Sequence, residues 1–97
     1  MATYVLLATY TEQGLKGIKD TIKRTEAVRE LAKKAGLAMK EIYWTLGAYD
    51  VVGVFEAPDD ETMTAFSLSV AKLGNVKTQT LRAFSSKDMS AILGKMV

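Results

Sequence analysis

Gly47-Ala48-Tyr49-Asp50 lies between two apolar runs, Glu41-Ile42-Tyr43-Trp44-Thr45-Leu46 before it and Val51-Val52-Gly53-Val54-Phe55 after it. A short connection holding a glycine, an aromatic and an acid between two such runs is a hairpin signal. It orders the rest of the chain. Upstream, Thr3 to Tyr10 reads as a strand apolar on both parities, Tyr4, Leu6 and Ala8 on one and Val5 and Leu7 on the other. Downstream, Asp50 to Ala57 repeats the pattern, with Val52 and Val54 opposed to Val51, Gly53 and Phe55. Strands with two apolar faces are usually covered on both, so these two are expected at the centre of a sheet. Gly47 is expected to supply backbone geometry that a side chain would obstruct.

Two helices separate the strands. Thr11 to Gly14 reads as a turn, and Leu15 to Lys19 as one short helical turn. Thr21 is the expected N-cap of a helix over Ile22 to Ala35, with Val28, Leu31, Ala32 and Ala35 as its buried stripe and Gly36 as its left-handed end. Pro58-Asp59-Asp60-Glu61 opens the second helix with a capping acid and negative charge at its positive end. Met63, Phe66, Val70 and Leu73 form its inner stripe, and Gly74-Asn75 ends it. Val76 to Phe84 is a polar, edge-type strand. Ser85 and Asp88 have capping-box spacing before a short C-terminal helix carrying Met89, Ile92, Leu93 and Met96.

The order is that of the ferredoxin-like βαββαβ unit, an α+β fold. It predicts one domain over residues 1–97, with a four-stranded antiparallel sheet in the order 4-1-3-2. Right-handed crossovers place both helices on one face. The other face of the two central strands is then apolar and bare. A homodimer in which two such faces pack together resolves this; a C-terminal helix of about a dozen residues is too small to cover a sheet alone.

Composition excludes several chemistries. The chain has 97 residues, no cysteine and no histidine. Thiol nucleophiles, disulfides, imidazole bases and zinc sites built on His or Cys are ruled out, and neither a metal nor a cofactor is expected. No apolar run approaches the ~20 residues of a membrane span, and Met1-Ala2-Thr3-Tyr4 has no basic segment of the signal-peptide type. The expectation is a cytoplasmic protein without membrane partners. The net charge is +2, with basic residues concentrated between Lys16 and Lys34. RNA-recognition domains share this strand order but carry a basic and aromatic third strand. Here that strand runs Asp50 to Glu56, acidic at both ends, so no nucleic-acid partner is expected.

Further along, Glu56-Ala57-Pro58-Asp59-Asp60-Glu61, Gly74-Asn75-Val76 and Thr80-Leu81-Arg82-Ala83-Phe84 follow the hairpin motif in order. With the opening Thr3-Tyr4-Val5, the chain resembles the GYD-domain family over nearly its whole length. The resemblance implies a dimeric α/β barrel of ferredoxin-like fold and little defined chemistry. Ile22 stands where many relatives have a proline opening the first long helix, which argues against a helix break between Lys19 and Lys23.

Four residues are candidates for ligand contact. Asp50 offers a base or acceptor and Tyr49 a phenolic donor, against roles in satisfying turn amides and packing the hairpin end. Arg82 offers a fork for a carboxylate or phosphate, and Thr80 shares its parity on a polar stripe. Trp44, the only tryptophan, shares parity with Ile42 and Leu46 and reads as core or interface. The reading favoured is a homodimer or higher homo-oligomer binding a small apolar or anionic molecule between its sheets, with Tyr49, Asp50 and Arg82 at the rim. The alternatives are a cofactor-independent enzyme of monooxygenase or isomerase type, or a self-assembly module.

Overall fold

A computed structural model describes residues Met1–Val97. Strand β1 (Ala2–Tyr10) leads through a short helix α1 (Glu12–Lys16) and a 3-10 turn (Ile18–Asp20) into α2 (Thr21–Lys34). Strands β2 (Ala38–Trp44) and β3 (Val51–Ala57) form the hairpin; α3 (Asp60–Ala71), β4 (Val76–Ala83) and α4 (Ser86–Leu93) follow. The sheet order is β2-β3-β1-β4, all pairs antiparallel, as the pattern of two-faced central strands required.

The core lies between the sheet and helices α2 and α3. Tyr4, Leu6 and Ala8 from β1 meet Val51, Phe55 and Ala57 from β3. Phe66 of α3 packs its ring on Phe55 at 5.2 Å between centroids. Met63 and Val70 extend that contact along the stripe read from sequence, but its last member, Leu73, falls beyond α3 and is exposed. On α2 only Ala32 is fully buried, while Val28 and Leu31 pack at the margin. The opposite face of the sheet carries Val5, Leu7, Val52 and Val54, all half-buried, and no helix of the chain lies over it.

Several boundaries differ from the sequence reading. Strand β2 begins at Ala38 and stops at Trp44, with Thr45 to Asp50 as the connection. A bulge between Met39 and Glu41 switches the alternation, so Met39, Ile42 and Trp44 all share the helix side. Leu46 falls in the loop, fully exposed. Thr21 is not a cap. The 3-10 turn delivers Asp20 into α2 in near-helical geometry, so no extended capping residue precedes it. The chain therefore breaks over residues 17–20, and α2 runs unbroken through Ile22 and Lys23. The caps on α3 and α4 match expectation: Asp59 accepts from the Thr62 N–H at 2.8 Å, and Ser85 and Asp88 close a reciprocal capping box.

The turn after β1 grips the loop after α3. The Thr11 N–H donates to Asn75 O at 3.1 Å, and the Thr11 hydroxyl donates to Gly74 O at 2.6 Å. Gly14 sits so close that a Cβ there would lie 2.1 Å from Asn75 O, a backbone atom that cannot swing away. At Gly36, φ is +84° but the space around it is open. Gly14→Ala is therefore expected to destabilise the fold by about 3 kcal/mol, at the upper end for overpacking, and Gly36→Ala by about 1 kcal/mol, the cost of a left-handed backbone. Urea unfolding of the two variants checks the order. Equal losses would show that the loop yields freely.

Candidate functional site

The hairpin motif is occupied with backbone. Pairing between β1 and β3 ends at Ala8 and Val51, yet β1 continues to Tyr10. Asp50 extends the ladder past that end. Its N–H donates to Ala8 O at 2.9 Å, and its carboxylate accepts the Tyr10 N–H at 2.9 Å. Its own carbonyl accepts the Thr45 N–H at 2.8 Å, while the Thr45 hydroxyl donates to Tyr49 O at 2.6 Å. Gly47 makes this loop at φ +126°, where a side chain would be strained. The Tyr49 hydroxyl reaches over β1 to Gln79 on β4, donating to its Oε1 at 3.0 Å. Gln79 pairs with Leu7, so this contact lies on the helix-free side.

Arg82 and Thr80 stand elsewhere. Register pairs Arg82 with Tyr4 and Thr80 with Leu6. Facing residues of an antiparallel pair project to one side, so both belong to the helix side of the sheet. They do not border the helix-free face where the sequence reading put Arg82. Four residues along β1, about 13 Å, also separate Tyr4 from Ala8 and the hairpin. The structure thus joins Tyr49 with Asp50, and Arg82 with Thr80, but not one pair with the other. Trp44 shares the helix side with Ile42, but at 43% exposure it lies at the margin of the sheet and not in the core. Its Nε1 donates to the Thr21 hydroxyl at 3.1 Å. The same hydroxyl bonds the Tyr10 hydroxyl at 2.7 Å.

Arg82 and Thr80 border an open cleft with Tyr4, Asp60 and Thr64. The Tyr4 hydroxyl donates to Asp60 Oδ1 at the start of α3. The guanidinium of Arg82 lies over the rings of Tyr4 and Phe84, 5.5 and 4.6 Å from their centroids. It also donates through Nη1 to Thr3 O at 3.2 Å. The cluster ties both strands and α3 together at one end of the sheet. Sequence reasoning missed Tyr4 and Asp60 here, because their partnership is made only by the crossover. The bond to Asp60, with burial next, pushes the Tyr4 phenol up to about 12. No group of three or more His, Cys, Asp or Glu side chains is arranged to hold a metal ion, and no helix is long and apolar enough to cross a membrane.

The GYD domain model matches residues 4–93. The protein belongs to the GYD-domain family. A Thermus thermophilus relative, named glutamine synthetase and cystathionine beta-lyase binding protein, is 36% identical over 94 residues, covering 96% of this chain and 99% of its own. The crystal structure of TTHA0845, also from Thermus thermophilus, superposes with a TM-score of 0.59 at 24% identity, covering 89% of this chain and 96% of that one. The structure of MtbAldR gives a TM-score of 0.67 at 14% identity, over 88% of this chain and 52% of that one. Both structures support the ferredoxin-like fold.

Two measurements test these placements. Asp50→Ala is expected to lose about 1–3 kcal/mol by orphaning the Tyr10 amide, and Asp50→Asn less because it keeps an acceptor; chemical denaturation reads both. For Tyr4, the folded state holds the proton more tightly than the unfolded chain, where the phenol sits at its ordinary 10.0. Its stabilising contribution is complete below pH 10 and lost as pH rises to about 12. Alkaline absorbance titration should show a phenol ionising near 12 that disappears in Tyr4→Phe. An unchanged curve would break the Tyr4–Asp60 assignment.

Proposed function

We propose that this GYD-domain protein is a homodimeric binding module that engages metabolic enzymes, with the dimer built on the helix-free face of its sheet. The observation that carries this reading is the face itself. Val5, Leu7, Val52 and Val54 form its centre, flanked by the more exposed Leu81 and Tyr43, with no helix of the chain above them. The molecule is only 18 Å thick in its thinnest direction, the depth of one sheet and one helix layer. A second copy of the same surface is the partner whose shape and chemistry match without further assumption.

Area argues that the C-terminal helix joins in. Four strands spaced ~4.8 Å apart give a flat footprint of roughly 450 Å² over seven residues. A standard stable interface buries about 800 Å² per partner. Residues 85–97 are exposed throughout, and α4 makes no substantial packing against any other element. Eight residues are too few for a stable isolated helix in water. Yet α4 carries a capping box, and the apolar positions Met89, Ile92, Leu93 and Met96 lie in and just after it. Docked on the partner's sheet, it supplies the missing area and gains the packing it lacks alone. Tyr49, held to Gln79, borders the space between the two sheets, which is where a small apolar or anionic molecule would sit.

Enzyme binding is supported by the name of the Thermus relative, which aligns over almost the whole of both chains. The outer surface of this chain fits a protein partner of acidic character. Lys19, Lys23 and Lys34 carry no ion pair, whereas Lys16, Arg29 and Lys33 are matched within their own helices. Light scattering on a sizing column is expected to give a dimer for the wild type. Leu7→Lys should weaken dimerisation at least ~tenfold, about 1.4 kcal/mol. Ile92→Asp should do so in part. Purified glutamine synthetase and cystathionine β-lyase from the same source should be retained by the wild type and less by a Lys19, Lys23, Lys34→Glu variant. A monomer at micromolar concentration overturns the dimer; retention of neither enzyme overturns the adaptor role.

A further inference from the structure

On the helix side of the sheet, α2 and α3 leave an open slot between them. Between α2 and α3, over Leu6 and Phe55 of the sheet, lies a cavity of about 140 Å³ walled by Val28 and Val70. Its origin is in side-chain choice. Helix α3 sends in Phe66 and Val70, but α2 answers with Thr25, Ala27 and Val28. The two helices therefore straddle the middle of the sheet without closing over it. The lining is mostly apolar, and its polar members are Thr21, Arg24 and Thr25 at the start of α2 with Asn75 after α3.

Arg24 gives that end its chemistry. It is half-buried and has no acidic partner in the chain. Nη2 donates to Gly14 O at 3.1 Å, and the rest of the guanidinium makes no hydrogen bond to the protein. A partly desolvated arginine without a counter-ion, at the end of a greasy slot, is complementary to a small anion with a hydrocarbon tail. Size limits the tail: a protein cavity of about 150 Å³ accommodates benzene. We propose that the slot between α2 and α3 is a binding site for a small hydrophobic monocarboxylate of about six carbons, its carboxylate on Arg24 and its tail over Leu6 and Phe55. No carboxylate lines the slot to neutralise an α-ammonium group, so the corresponding amino acid is disfavoured. The site goes beyond the dimer and adaptor reading, being on the opposite side of the sheet.

Trp44 reports on it without labels, because its Nε1 is hydrogen-bonded to Thr21 at the polar end. Tryptophan fluorescence and calorimetry of the full chain, titrated with straight-chain carboxylates from butanoate to decanoate, should show saturable binding. Affinity should rise up to about fourfold per methylene and level off near six carbons. Arg24→Gln should weaken hexanoate at least ~tenfold, about 1.4 kcal/mol, and leave hexan-1-ol unchanged. 4-Methylpentanoate should bind and leucine should not. Val28→Phe should abolish both hexanoate and hexanol binding while raising or preserving the melting temperature; if it does not fold, the chain-length plateau and the Arg24 comparison decide. The proposal is overturned by absence of saturable binding, by affinity that climbs without a plateau, or by Arg24→Gln affecting acid and alcohol alike. Leu7→Lys, on the far face, should leave hexanoate binding intact, so failure of the dimer and failure of this site are read separately.

Discussion

The pairing of β1 with β3 at the centre of the sheet governs everything else. Both strands are apolar on both sides, and the chain supplies helices for one side only. On the covered side the result is a thin core, 14 buried residues of 97, anchored by Phe55 against Phe66. On the other side Val5, Leu7, Val52 and Val54 are left to whatever else can cover them. The radius of gyration, 14.6 Å, exceeds the ~12.5 Å of a typical compact chain of this length. Part of the sequence is thus disposed away from its own core. The proposed dimer and the proposed docking of α4 answer one and the same shortage of cover.

Asp50 shows how the family motif serves this centre. Where β3 ends, β1 still has an amide pointing at empty space. An ordinary turn residue would leave Tyr10 N–H to water; the carboxylate takes it, as the next residue of β3 would have done. The same residue's backbone serves both Ala8 and Thr45. Tyr10 is thereby held where its hydroxyl meets Thr21 and, through Thr21, Trp44. The hairpin loop, the end of β1 and the start of α2 are one hydrogen-bonded unit. That unit uses three residues to which the sequence pattern assigns separate jobs: a ligand contact, an N-cap and a core aromatic.

What was legible in the sequence follows a physical rule. Period-2 and period-3.6 patterns with strong burial on one face, as in β3 and α3, place a residue without knowledge of its neighbours. Caps are equally local, and Asp59 and Ser85–Asp88 stand where the sequence puts them. The misplacements arise where position depends on a partner. A bulge at Met39–Glu41 resets the parity of β2, and no residue there announces it. On β4, Lys77 to Thr80 carries no apolar alternation, so only register against β1 decides that Arg82 and Thr80 face the helices. The Tyr4–Asp60 contact spans 56 residues and exists because β3 ends opposite the start of β1, just before α3 begins at Asp60. Thr21 lost its cap role to a 3-10 turn whose sequence, Ile18-Lys19-Asp20, reads as nothing in particular.

The two faces of the sheet pose the same question of cover at different scales. On the open side a whole surface lies bare of the chain's own helices, which is the scale of the second protein surface proposed to cover it. On the helix side the gap between α2 and α3 is of molecular size. Replacing Ala27 or Val28 by a larger side chain would close the gap, yet the helix presents small residues there and sets Arg24 beside them. A core that only needed stability would be expected to use bulk at those positions. The combination of missing volume with an uncompensated charge at its end is instead the form a ligand site takes, and it lies behind the sheet that dimerisation would close from the front.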